Sequence, residues 1–201
     1  MDRARGMDWR LLLGLYGLVA AAFVARTLYN AETIPLIADT DDAMRLAVVR
    51  DLLAGQGWYD NLQHRMNTPY GAELHWSRLA DLPLAGLVLL FRPFLGTLAD
   101  TAAAYAVPLL YLFVLLYLSG RLTLKLAGPE ALLPGLALPA VSLTVLAEFA
   151  PGRVDHHALQ ILLLMALVWC SIEAVTRPRF ALGAGLAAAT AIAIGIEGLP
   201  T

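Results

Sequence analysis

Leu82-Pro83-Leu84-Ala85-Gly86-Leu87-Val88-Leu89-Leu90-Phe91-Arg92-Pro93-Phe94-Leu95-Gly96-Thr97-Leu98 decides how this chain is threaded. The stretch is apolar, but a crossing helix needs roughly 20 apolar residues, and Arg92 and Pro93 interrupt this one. A charge beside a proline suits a helix lying at the membrane interface better than one that crosses. Five other runs come closer to crossing length, at about 10–29, 103–124, 130–148, 158–175 and 181–199. They make a chain of 201 residues 59% hydrophobic, with mean hydropathy +0.67, well above a soluble domain.

Basic residues arbitrate between five and six crossings. Arg3, Arg5 and Arg10 place the N-terminus in the cytoplasm, and the run after them lacks a clean cleavage site, so it reads as an uncleaved anchor. If Leu82–Leu98 stays on the surface, Arg121, Lys125, Arg177 and Arg179 are cytoplasmic as well. Residues 30–102 and 149–157 are then both outside. If it crosses, those four basic residues move outside, and the acidic segments around Asp42 and Asp155 are separated by the membrane. The expected fold is therefore all-α: a polytopic membrane helix bundle with a large first extracytoplasmic loop carrying interfacial helices. A net charge of −2 argues against nucleic acid as a partner. The one cysteine, Cys170, lies in an apolar run and forms no disulfide framework. Thr201 follows an apolar run with no polar tail, so the chain reads as the N-terminal part of a longer protein.

The first loop is too long for a simple connector. Asp41 or Asp42 can cap a helix from Ala43 to about Ala54, which Gly55 and Gly57 would end. Arg45 falls on the apolar face of that helix and must snorkel or meet an anion. Trp58, Tyr59, Tyr70 and Trp76 suit an aromatic belt at the headgroup level, or sugar and lipid-phosphate recognition.

Two polar motifs stand out. Asp39-Thr40-Asp41-Asp42 has more acids than a cap needs, and a cation would relieve their repulsion. Asp155-His156-His157 opens the fourth run. Asp155 is a good N-cap and the histidines would wet a helix end, yet Asp and His are also ordinary ligands of divalent metals. Asp155 and His157 can converge at a loop-to-helix junction, with a third ligand from Asp42, Asp41 or Asp39. Arg153 can pair with Asp155 or bind phosphate, and Arg78 and His75 are further phosphate candidates. Glu197 sits near the outer end of the last run, where an acid is expensive. Glu173 and Arg177 read as a surface pair.

In order and topology these motifs resemble the catalytic subunit of oligosaccharyltransferase and related C-type glycosyltransferases. Asp42 is followed by a helix and then by Gly57-Trp58-Tyr59, as the family's first-loop aspartate is by a Gly-aromatic-Tyr segment. Asn67-Thr68-Pro69-Tyr70-Gly71 is similar to the family's Tyr-Pro-x-Gly region, and Phe149-Ala150-Pro151-Gly152-Arg153-Val154-Asp155-His156-His157 to its second acidic motif in the Asp-x-His form. Gly195-Ile196-Glu197-Gly198-Leu199-Pro200 falls where the family has Trp-Gly-Gly-Tyr, with different residues. The resemblance covers nearly the whole chain. The family's acceptor-binding motif and soluble domain would lie beyond Thr201, so protein-asparagine glycosylation does not follow.

The resemblance implies a membrane glycosyltransferase that moves a sugar or oligosaccharide from a polyprenyl-phosphate or -pyrophosphate donor to a protein or glycan acceptor. Asp42, Asp155 and His157 would hold the catalytic divalent metal (Mg²⁺ or Mn²⁺, with Zn²⁺ possible), and Asp41 or Asp39 would serve as base or supporting acid. Arg153, Arg78, His75 and Glu197 would contact substrate. The setting would be the bacterial inner membrane, with a cytoplasmic N-terminus and a periplasmic site. The competing class is a transporter or flippase that uses its acids for ion coupling. Against it, the acids gather at one surface rather than at the midplane, and no inverted repeat is visible. A third class is a structural assembly subunit whose acids are all helix caps.

Overall fold

The computed structural model describes residues 6–195. Glu197 lies outside them. The described chain is an all-α bundle with one small ribbon. Helix α1 spans Trp9–Tyr29 and α2 Thr40–Leu53. Strands β1 (Leu62–Gln63) and β2 (Ala72–Glu73) pair antiparallel. Helices α3 (Leu82–Leu95), α4 (Ala99–Leu126), α5 (Leu132–Val141), α6 (Leu143–Glu148), α7 (His157–Ala174) and α8 (Phe180–Ile194) follow. Among the described residues, three stretches are long and apolar enough to cross a membrane: Trp9–Tyr29, Leu82–Leu126 and His157–Ala174.

The middle stretch is not one rod. The chain turns at Gly96, so that α3 packs against the first half of α4. Leu84, Ala85 and Val88 of α3 share a core with Ala99, Ala103, Ala104 and Val107 of α4 and with Leu46 and Val49 of α2. Fourteen residues of α-helix reach only about 21 Å at ~1.5 Å per residue, against a hydrocarbon core of roughly 30 Å. Small alanines on α4 let α3 lie close, and Gly96, at φ +53°, ends it.

A second core joins α1, α4, α5 and α7 through Leu12, Val19, Leu112, Leu116, Leu136 and Leu162. At Gly135 the α4 and α5 backbones approach so closely that a Cβ would stand 2.1 Å from the Thr123 hydroxyl. The apolar run at 130–148, expected as a single span, is split at Ser142, whose backbone is extended. Pro139 cannot donate to the Gly135 carbonyl, and that oxygen accepts from Ser119 Oγ instead, at 2.8 Å. Glu173, expected as a surface partner of Arg177, is buried, because α7 turns it toward α4. Lys125 (3.5 Å) and Arg177 (3.6 Å) both meet it.

Candidate functional site

Helix α2 is the element that builds the site. Its cap is Asp39, whose carboxylate accepts the N–H of Asp41 at 2.9 Å. The helix therefore begins at Thr40, earlier than expected from a cap at Asp41 or Asp42. With the capping done by Asp39, Asp42 sits inside the first turn and points inward, 1% exposed. Its Oδ1 accepts the backbone N–H groups of Val154 and Asp155, both at 2.8 Å, and its Oδ2 accepts from Arg153 Nη1 at 2.8 Å. The two motifs, more than a hundred residues apart, are thus in direct contact. Gly152 makes the turn possible. Its φ is +93°, and a Cβ there would lie 1.9 Å from the Leu36 carbonyl oxygen.

One turn further along α2, Arg45 is buried and meets the anions that its place on the apolar face requires. Nη1 donates to Asp81 Oδ1 at 2.8 Å and Nη2 to Asp155 Oδ1 at 3.0 Å, while the guanidinium stacks 4.5 Å over the Trp76 ring. Asp81, immediately before Leu82-Pro83, has the sequence look of a helix cap, yet makes no capping bond. Nothing in the sequence marks it as a site residue, because its partner Arg45 lies 36 residues away. Glu148, at the end of α6, is likewise unmarked. It accepts from Arg153 Nη2 at 3.2 Å, and Asp39 lies 3.1 Å from Arg153 Nη1.

Asp155, His156 and His157 form a group whose ligand atoms all lie within 4.8 Å of one another. His156 Nδ1 is 2.7 Å from Asp155 Oδ1, and His157 Nε2 is 3.4 Å from Asp155 Oδ2. Asp155 is buried, His156 half-buried and His157 exposed, so the group opens at the surface. This set differs from the expected Asp42, Asp155 and His157. Asp42 stands beside it but has its oxygens occupied by the 153–155 segment, and His156 takes its place. The reason is local: the turn at Gly152 lets the adjacent histidine rings converge with Asp155, their centroids 4.5 Å apart. One carboxylate and two imidazoles suit Mn²⁺ or Zn²⁺ better than Mg²⁺, which prefers oxygen ligands.

The remaining expected residues divide. Arg153 is 27% exposed at its side chain and lines a cavity of about 380 Å³ between the end of α1 and the 147–153 turn. Arg26 lines the same cavity, with Phe23, Leu36 and Pro151 among its apolar walls. Arg78 does not reach this space. It is buried in the loop and donates to the carbonyls of Val48 and Asp60, to Gln56 and, at 3.5 Å, to Asp81. His75 is exposed, and Asp41 is exposed on the first turn of α2.

Charge is unbalanced here. Three guanidiniums, on Arg45, Arg78 and Arg153, face five carboxylates, on Asp39, Asp42, Asp81, Glu148 and Asp155. With all of them ionised, the cluster carries two excess negative charges. Burial lifts the carboxyls of Asp42 and Asp81 above the ordinary range despite their arginine partners. Burial also opposes ionisation of Asp155, but hydrogen bonds from His156 and Arg45 outweigh it and hold that group well below the usual range. Asp39 is held low by the N–H of Asp41, which makes it a poor proton acceptor near neutrality. No family model, curated protein or solved structure matches the chain.

Proposed function

We propose that this chain carries the catalytic centre of a membrane glycosyltransferase, moving a sugar or oligosaccharide from a polyprenyl-phosphate or -pyrophosphate donor to a protein or glycan acceptor on the extracytoplasmic face. The observation that carries this reading is the hydrogen bond that the Asp155 backbone N–H donates to the Asp42 carboxylate. It joins the two motifs on which the resemblance to C-type glycosyltransferases rests. With residues 42 and 155 at one membrane face, the chain between them would cross an even number of times, and this reading assigns the crossings to α4 and the α5–α6 pair, with α3 at the interface.

Asp155, His156 and His157 would hold a divalent cation, Mn²⁺ or Zn²⁺ by the character of the donor set. Such a cation supplies charge neutralisation at a leaving phosphate. Around it the chain's own residues bind and orient. Arg26 and Arg153 line the cavity and would attract a phosphate; Arg153 would have to exchange one of its carboxylate partners, Asp39 or Glu148, to bind it. The apolar walls, Phe23, Leu36 and Pro151 among them, accept the start of a prenyl chain. Asp42 shapes the turn that carries the ligands.

The test is transfer of radiolabelled sugar from a polyprenyl-phosphate-linked hexose by the full-length protein in liposomes. Asp155→Ala and His157→Ala are each expected to lower turnover at least 100-fold, and Arg26→Ala to raise the KM for donor. Unchanged turnover in both ligand variants would remove the proposal. Metal-independent, proton- or sodium-coupled movement of the lipid would replace it with the transporter class.

A further inference from the structure

Asp155 has two oxygens with different surroundings. Oδ1 faces inward, to Arg45 Nη2 at 3.0 Å and His156 Nδ1 at 2.7 Å. Oδ2 faces outward, 3.4 Å from His157 Nε2. The inward side is fixed by a chain of buried charges. Arg45 and Asp81 are each 1% exposed, and Asp81 Oδ1 holds the other arm of the Arg45 fork at 2.8 Å. Trp76 stacks on the guanidinium and restricts its plane. Asp81 is anchored in turn by Arg78, which is tied to the backbone of α2 through Val48. None of Arg45, Asp81 or Trp76 belongs to the group that opens at the surface.

We propose that Arg45, held by Asp81 and Trp76, is the positioning residue for Asp155, fixing which carboxylate oxygen is presented to a cation. This inference rests on the reading of Asp155, His156 and His157 as a cation site. It explains why α2 places two side chains one turn apart on the same segment. Asp42 fixes the backbone of residues 154 and 155, and Arg45 fixes the Asp155 side chain. A bidentate arm is needed to reach Asp81 and Asp155 at once, and a lysine, with a single ammonium, has no such fork.

Charge and geometry make opposite predictions, which allows them to be separated. Removing a positive charge beside a ligand should tighten cation binding by simple Coulomb attraction. Losing orientation should weaken it, by roughly 10–100-fold for groups that orient metal ligands. The experiment is Mn²⁺ binding to the full-length protein in nanodiscs, read by electron paramagnetic resonance, alongside thermal unfolding without added metal. Arg45→Lys keeps the charge and is expected to lose about tenfold or more in Mn²⁺ affinity, with a metal-free unfolding temperature close to wild type. Trp76→Leu leaves every charge in place and removes the ring that restricts the guanidinium plane. It is expected to lose affinity in the same direction by a smaller factor, and it carries the test should Arg45→Lys fail to fold. Wild-type affinity in a folded Arg45→Lys, or in Trp76→Leu where the lysine variant does not fold, overturns the positioning role alone. A wild-type protein that binds neither Mn²⁺ nor Zn²⁺ overturns both this inference and the cation site beneath it.

Discussion

At the scale of single residues, Asp42 shows how one carboxylate can hold a distant segment through both its backbone and a side chain. Its Oδ1 satisfies two buried N–H groups, and its Oδ2 takes an arginine. Asp42→Asn keeps one acceptor oxygen for Val154 and Asp155 and loses only the anion facing Arg153. Asp42→Ala strips both N–H groups of their partner, at about 1–3 kcal/mol for each buried group left unsatisfied. Thermal unfolding in metal-free detergent is therefore expected to rank wild type above Asn, and Asn well above Ala. Equal effects from the two substitutions would mean that the aspartate matters only as an anion. The composition of Asp39-Thr40-Asp41-Asp42 announced a polar centre without dividing the labour. Asp39 caps, Asp41 is solvated and Asp42 clamps, because only the packed helix decides which of three neighbouring acids points inward.

At the scale of elements, α2 and the β1–β2 ribbon are tied together from outside the core. Asp51 of α2 accepts both arms of the Arg65 guanidinium and the amide of Gln63. The hydrogen bonds from Arg65 hold the Asp51 carboxyl below its ordinary value of 3.8. A group whose folded pKa is depressed contributes stability above its unfolded pKa and loses it as pH falls through the folded value. The ribbon anchor is thus expected to be whole at neutral pH and to weaken below about 3.8. Limited proteolysis between residues 57 and 75 should accelerate in that window, and Asp51→Asn should show the same acceleration already at neutral pH. The pair is partly exposed, so salt should soften the effect. Helical elements were well marked in the sequence, because apolar runs of crossing length leave few alternatives. The break at Ser142 was marked less well. Pro139 signals it, but whether a proline kinks a helix or ends it depends on where the orphaned carbonyl finds a donor. Here Ser119, on another helix, provides one.

At the scale of the whole molecule, two cores meet along α4. One is formed with α2 and α3 beneath the site, the other with α1, α5 and α7. Their arrangement gathers the acidic groups at one end and the Lys125–Glu173–Arg177 contacts elsewhere, between the C-terminal ends of α4 and α7. If these ends face opposite sides of a membrane, as we propose from the basic residues, exposed positions near each should label from opposite sides. In a Cys170→Ala background, Tyr59→Cys, 94% exposed in the wild-type chain, is expected to react with an impermeant maleimide in intact cells. Arg177→Cys is expected to react only after permeabilisation. Labelling of both positions from one side would break the even-crossing topology and the proposed placement of the site.

The sequence by itself determined the class of this protein and the whereabouts of its chemistry. Apolar runs near crossing length force helices, since a backbone in lipid must satisfy its own hydrogen bonds. Clustered carboxylates and imidazoles beside those runs mark the places where burial must be compensated. The tertiary structure decided which of those groups meet. It grouped His156 with Asp155 and His157, gave Asp42 to the backbone beside them, withdrew Arg78 into the loop and revealed Asp81 and Glu148 as partners. Partner choice depends on angles and distances between elements far apart in the chain, and a one-dimensional pattern of residue types carries no record of those.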